Sequence, residues 1–265
     1  MEITSVLGII IATASLLIAF VWDGGHILAL LAPTSALIVF GGTIGATVTT
    51  FSKSDLAAAM KMLKTIMVKN SLNKVDMIEY IVDLAEKARR EGILYLENHL
   101  TNIESPFMRK GIQLIVDGTS PELVRTILET EIYTFEEQQE VGASVFEVAG
   151  GYAPTMGIIG TVMGLVHVLG NLSDPGKLGP SIAMAFIATL YGVGSANILW
   201  LPISGKLKNI SKEESKIQEM MLEGLLSIQA GNNPVLIRER LTAFLDPRRQ
   251  ERDSQSQKAE VDEEE

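Results

Sequence analysis

A chain of 265 residues that is 47% hydrophobic, with a mean hydropathy of +0.25, yet carries 32 acidic and 22 basic side chains, divides its character between membrane and water. The net charge of −10 argues against nucleic acid as a partner, since that needs a clustered basic surface. There is no Cys, which agrees with a reducing compartment without requiring one, and no nucleophile constellation, metal cluster or phosphate-binding glycine loop, so no enzyme and no cofactor is expected.

Four stretches reach the roughly 20 apolar residues of a spanning helix: Ile3 to Val21, Leu28 to Phe51, Val148 to Leu169 and Ser181 to Ser204. The first lacks the basic n-region of a signal peptide and reads as a retained helix. Every Lys and Arg except Lys177 lies between Lys53 and Arg125 or between Lys206 and Lys258. The positive-inside rule therefore puts both polar stretches, and both termini, in the cytoplasm. Short outer turns fall at "WDGGH" and "NLSDPGKLGP". The expected fold class is all-α: an integral protein of the cell membrane with four transmembrane helices and a cytoplasmic helical bundle. Its divisions are spans 1 and 2 (1–51), a cytoplasmic helical domain (52–147), spans 3 and 4 (148–204), a cytoplasmic helical region (205–245) and a disordered acidic tail (246–265).

In the first polar stretch, Leu56, Met60, Leu63, Ile66 and Met67 recur at helical spacing and predict one buried face. After a break at Asn70 to Asn73 the period resumes through Val75, Ile78, Val82, Ala85 and Arg89. A third helix starts at "TSPELV", with Ser120 as N-cap and Pro121 at the first helical position, and buries Val124, Ile127, Leu128 and Phe135. In "KARREGILYLENHL" the apolar residues Ile93, Leu96, Leu100 and Ile103 keep helical spacing across Gly92, which weakens a helix by about 1 kcal/mol without necessarily ending it. On a continuous helix Arg90 and Glu97 share a face, with Arg89 to one side. That mixed-charge surface is either a solvated helix face or an electrostatic docking site.

Spans 3 and 4 carry small residues in stripes: Gly157, Gly160 and Gly164 beside Thr161, and Ala185, Ala188, Thr189, Gly192 and Ala196. Such stripes pack helices closely in lipid. The two threonines add hydroxyls near the depth of the bilayer centre, although a threonine can also satisfy itself on its own backbone. Ion translocation normally needs an intramembrane acid, and none of the four spans has one. Glu147 lies at the inner mouth of span 3 and His167, read as structural, near its outer end. If this chain moves ions, another polypeptide supplies the carboxylate. Pro154 and Pro202, near the inner ends of spans 3 and 4, are either punctuation or a pair of hinges.

Taken in order, "ARREGILYLE", "PFMRKGIQLIVDG", "YAPTMGIIGTVMGLVHVL", "AFIATLYGVGSANILWLPISGKL" and "EGLLSIQAGNNP" resemble the flagellar motor stator A-subunits, the MotA/PomA family of the MotA/TolQ/ExbB superfamily. The resemblance covers nearly the whole chain up to the tail. It implies a ring of five A-subunits around two copies of a single-span, MotB/PomB-like B-subunit whose aspartate is the titratable group missing here. Ion flow past that aspartate would drive rotation through a FliG-like rotor switch protein. By motif, the rotor-facing arginine and glutamate match Arg89 and Glu97, with Arg90 beside them, and the two functional prolines match Pro154 and Pro202. Thr189 matches the ion-path threonine of span 4, with Thr161, Ala188 and Tyr191 around it. Gly157, Gly160, Gly164, Ala185 and Gly192 would admit the B-subunit. Sodium-type members carry two adjacent threonines where this chain has Ala188 and Thr189, which favours protons, while Thr161 and Tyr191 keep sodium open. The alternatives are a TolQ/ExbB-like envelope energiser, against which the extra amino-terminal span and "ARREGILYLE" argue, and a passive membrane scaffold.

Overall fold

The computed structural model describes residues 3–67, 74–103, 105–170, 173 and 175–245. The expected break at Asn70 to Asn73 and the acidic tail lie outside them. Every regular element among the described residues is helical. Among the described residues two runs are long and apolar enough to cross a membrane, Pro121–Gly170 and Leu178–Gln229, and a shorter apolar helix covers Val6–Trp22. The chain forms two compact units, Met1–Asn70 with Glu137–Ser211 and Ser71–Glu136 with Lys212–Glu265.

The first unit opens with α1 (Ile3–Trp22). The second apolar stretch does not start as a helix at Leu28. A 3-10 turn at Ile27–Leu30, an extended Leu31 and a non-helical Ala32 precede α2 (Pro33–Ala36), which continues through a π-helical segment at Leu37–Gly41 into α3 (Gly42–Thr50). Pro33 is the cause, because a proline drives the residue before it out of the helical region and is itself well placed at a helix start. Three threonines of α3 satisfy their hydroxyls locally: Thr47 Oγ1 donates to Thr43 O at 2.8 Å, Thr49 Oγ1 to Gly45 O at 2.9 Å and Thr50 Oγ1 to Ala46 O at 2.9 Å, while the buried Thr43 hydroxyl has no partner among the described residues.

Helix α4 (Lys53–Met67) begins with a reciprocal cap in which Asp55 N donates to Ser52 Oγ and Ser52 N to Asp55 Oδ2. Its buried face is rotated from the expected one. Ala59 and Met62 are buried against Ala143, Val145, Phe146 and Leu207, Leu56 and Leu63 pack beside them, and Met60 is 58% exposed. Counting only large apolar residues misplaced the stripe, because a small alanine sits at its centre.

The second unit is built on α5 (Lys74–Glu91), a 3-10 stretch at Ile93–Asn102, α6 (Pro106–Val116) and the first turns of α7 (Pro121–Gly170). Helices α8 (Pro175–Ser195) and, after a π-helical segment at Ala196–Trp200, α9 (Leu201–Gln229) follow in the chain, and α10 (Pro234–Thr242) closes this unit. Ile78, Val82, Ala85, Val124 and Leu128 lie in its core as their spacing predicts, with Leu96, Ile112, Met220, Leu225, Ile237 and Leu241, whereas Ile127 and Phe135, expected on the same face, are only half-buried and Ile132 is buried in their stead. Three of its helices start alike: Ser105 and Asn233 accept from Met108 N and Val235 N, Ser120 Oγ from Leu123 N, and each is followed by proline.

The run from Arg89 to Glu97 is not one helix. Helix α5 ends at Glu91, and Gly92 takes φ +88° and ψ 159°, a conformation open essentially to glycine alone, before the 3-10 stretch begins. The apolar spacing was nevertheless a true burial signal. Leu96 and Ile103 are buried, and Ile93 and Leu100 pack against the same core.

Candidate ion path and docking surface

In the first unit α7 and α8 meet along the two small-residue stripes. A Cβ on Gly157 would lie 2.9 Å from Ala188 O, one on Gly160 2.7 Å from Ala188 Cβ, one on Gly164 2.7 Å from Ala185 Cβ, and one on Gly192 2.6 Å from Ala153 O. Ala185 and Ala188 are each 1% exposed. Within the single chain these residues pack α7 closely against α8, each stripe filling the space that the other leaves.

This close approach places two hydroxyls together. Thr161 Oγ1 lies 2.5 Å from Thr189 Oγ1 and donates to Ala185 O at 2.9 Å or Gly157 O at 3.1 Å. Both threonines are half-buried. One turn to either side of Thr189 on α8, Phe186 and Val193 are 66% and 46% exposed, so this face of the helix is uncovered in the single chain. Ala188, one residue away, points into the seam instead.

Tyr191, expected beside the threonines, is used elsewhere. Its hydroxyl donates to Leu30 O at 2.5 Å and accepts from Ala32 N at 3.3 Å, and its ring packs against Phe40 at 6.2 Å between centroids. These are backbone groups that the non-helical link before Pro33 would leave unpaired in an apolar setting. The residue pins the start of α2 to α8.

Neither proline ends a helix. Pro154 lies inside α7, and Pro202 is the second residue of α9, directly after the π-helical turn at Ala196–Trp200. A proline withdraws one N–H and crowds the carbonyl four residues back, and a widened turn upstream accommodates that crowding. The two prolines' turns also lie close, because a Cβ on Gly150, four residues before Pro154, would fall 2.7 Å from Leu201 Cδ2. Nearby, Lys208 Nζ pairs with Glu147 Oε2 at 2.5 Å.

Toward the other end of α7, His167 lines a cavity of about 160 Å3 with Thr34, Ser35 and Ser181. Ser35 Oγ donates to Met184 O at 3.0 Å, holding α2 to α8. Ser35 and Ser181 are buried. Sequence reasoning placed both within apolar spans but gave neither a role, since an isolated serine in an apolar run has no pattern of its own.

In the second unit Arg89, Arg90 and Glu97 are all exposed. Arg90 reaches Glu86 at only 3.9 Å and Lys87 pairs with Asp83 at 2.6 Å. Glu97 stands on the 3-10 stretch beyond the Gly92 kink, so its position relative to the arginines is fixed by that turn and not by a shared helical face. Lys74 and Lys216 hydrogen-bond Glu213 and hold its carboxyl below the usual range, whereas burial pushes the neighbouring Glu214 up.

Two long helices whose apolar, charge-free segments join through hydroxyls and run on into highly charged ones place this all-α chain in the class of membrane proteins. Residues 99–220 match the MotA/TolQ/ExbB proton channel family, and residues 6–92 match the Motility protein A N-terminal family. The chain is 36% identical to Motility protein A of Bacillus subtilis over 92% of its own length and 91% of that protein. It is similar to a solved structure of C. jejuni MotAB, with a TM-score of 0.89 and 31% identity over 94% of this chain and 98% of that one. It is also similar to the flagellar MotAB stator complex from Bacillus subtilis, with a TM-score of 0.86 and 36% identity over 92% and 97%. The chain belongs to the MotA/PomA family within the MotA/TolQ/ExbB proton-channel superfamily.

Proposed function

We propose that this protein is the A-subunit of a flagellar stator, an ion-driven generator of torque. The observation that carries the reading is the Thr161–Thr189 hydroxyl pair, set between two long helices that contain no acid of their own in the apolar spans. The titratable group comes from a single-span B-subunit bearing an aspartate. Its helix lies on the uncovered side of α8, against Phe186 and Val193, where it can reach Thr189. Five A-subunits surround two B-subunits, four spans per A-subunit cross the cell membrane, both termini are cytoplasmic, and residues 52–147 and 205–245 form the cytoplasmic part.

Protons are the coupling ion. A hard cation such as sodium must replace its water with several oxygen ligands, and here Ala188 brings none while the Tyr191 hydroxyl is occupied by backbone. One charge crossing 100 mV releases about 2.3 kcal/mol, and exposed charge pairs are worth about 0–1 kcal/mol each. Weak pairs at Arg89, Arg90 and Glu97 suit a contact with a FliG-like rotor switch protein that must form and release with every step. Pro154 and Pro202, whose turns lie close, act as the joint between the ion path and the cytoplasmic helices.

The test is purification of the chain with the product of its genomic neighbour, followed by motility assays. A one-span, aspartate-bearing partner should co-purify, and swimming should collapse with a protonophore and ignore external sodium. Steep dependence on sodium would overturn the choice of ion, and absence of the partner would overturn the stator reading.

A further inference from the structure

Within the second compact unit, α7 and α9 leave a groove of about 380 Å3. Ile132 and Leu222 form its buried floor, and Tyr133, 66% exposed, and Phe244 stand at its sides. The rim is acidic: Glu129, Glu136, Glu219 and Glu223 face it against a single cation, Arg125. Arg125 is already shared between Glu129 and Glu223 at 3.4 Å each, and Arg240 reaches Glu223 at 3.0 Å. Glu136 and Glu219 form no ion pair among the described residues.

An apolar floor with an aromatic wall and unspent carboxylates fits a guanidinium better than an ammonium, because arginine stacks flat on a ring while its fork engages carboxylates. The chain itself delivers such groups to this place. Phe244 lines the groove, Leu245 is the last described residue and is buried, and the sequence continues Asp246, Pro247, Arg248, Arg249, Gln250, Glu251, Arg252. At roughly 3.3–3.6 Å per extended residue, Arg249 falls within about 14 Å of Leu245, before its own side chain is counted. We infer that the groove between α7 and α9 is the seat of the basic start of this chain's own carboxyl-terminal arm, with Arg248 and Arg249 answering Glu136 and Glu219. This assignment does not depend on the ion path or on the rotor contact.

The absence of Cys makes the test clean. Thr130→Cys, at an exposed position on α7 beside Glu129, and Gln250→Cys leave every charge and both rings of the groove in place, and a short bismaleimide is applied to the full chain in membranes with its partner subunit. The expected result is an intrachain product, reduced at least five-fold by Arg248→Glu with Arg249→Glu and restored when Glu136→Lys and Glu219→Lys are added. Loss of the intrachain product with the native charges overturns the proposal, as does a product indifferent to the charge reversals. A product of twice the chain mass also overturns it, by assigning the groove to a neighbouring copy's arm. Co-purification with the partner subunit in each variant separates a lost contact from a lost fold.

Discussion

Thr161 Oγ1 and Thr189 Oγ1 lie 2.5 Å apart, and Thr161 alone of the two also reaches the carbonyls of Ala185 and Gly157. Each hydroxyl has one proton. Thr161 spends its proton on a carbonyl, so the bond between the hydroxyls takes the proton of Thr189, which is left offering lone pairs to whatever passes.

Thr189→Val should therefore abolish ion flux and swimming while the complex still co-purifies, because Thr161 keeps its carbonyl partners. Thr161→Ser, which preserves the hydroxyl, should retain most of the motility. Normal flux in Thr189→Val would remove this residue from the ion path.

Tyr191→Phe separates a structural role from an ion-path role. Losing the bonds to Leu30 O and Ala32 N leaves two backbone groups unpaired at the link before Pro33, at a cost of about 1–3 kcal/mol. Thermal melts of the solubilised complex should show that loss, and the preference for protons over sodium should be unchanged. A change in ion preference without a drop in stability would put the hydroxyl back beside the threonines.

The α7–α8 seam predicts a sharp contrast between glycines. Gly192→Ala forces a methyl to 2.6 Å from a backbone carbonyl that cannot swing away, and should cost about 1–3 kcal/mol or more. Gly205→Ala meets nothing within 4 Å and should stabilise α9 by up to about 1 kcal/mol. Equal effects in thermal melts would contradict the close approach of the two helices.

How far the sequence could be read depended on the kind of constraint. Periodicity found the core of the second unit, and the Ser-Pro start of α7 was visible because capping is local chemistry. Ser105–Pro106 and Asn233–Pro234 carried the same signal unused. What was hidden needed a partner distant in sequence: the glycine stripes show that something small is required, but not that α8 of the same chain fills the space. Tyr191 could not be read at all, since its hydroxyl answers a defect created by Pro33. Gly92 was misread because a helical apolar spacing survives in a 3-10 stretch, and only the backbone dihedral reveals the turn.

That turn predicts the behaviour of the charged surface. Gly92→Ala should cost about 1–3 kcal/mol, as the φ of +88° is strained for any side chain, and should reduce torque by displacing Glu97 relative to Arg89. Charge reversal at Arg89 or Glu97 should leave stability within about 0.5 kcal/mol yet impair swimming, with partial rescue by an opposite reversal in the rotor protein. Failure of every such compensating reversal would make this a merely solvated face.

Adjacent glutamates on α9 should respond to pH in opposite directions. Glu214 titrates above its ordinary value of 4.5 because it is partly buried, so the folded state holds the proton more tightly than the unfolded state. Its contribution is fully present below the unfolded value and is lost as pH rises through the folded one. Glu213, held below 4.5 by Lys74 and Lys216, contributes above the unfolded value and loses that contribution as pH falls through the folded one. Melts of the solubilised complex should show Glu214→Gln more stable than the parent at pH 7, with the gain vanishing below about pH 4. Glu213→Gln should be less stable at pH 7, and its deficit should shrink over the same descent. If both variants shifted in the same direction at pH 7, the paired environments of these two carboxylates would be refuted.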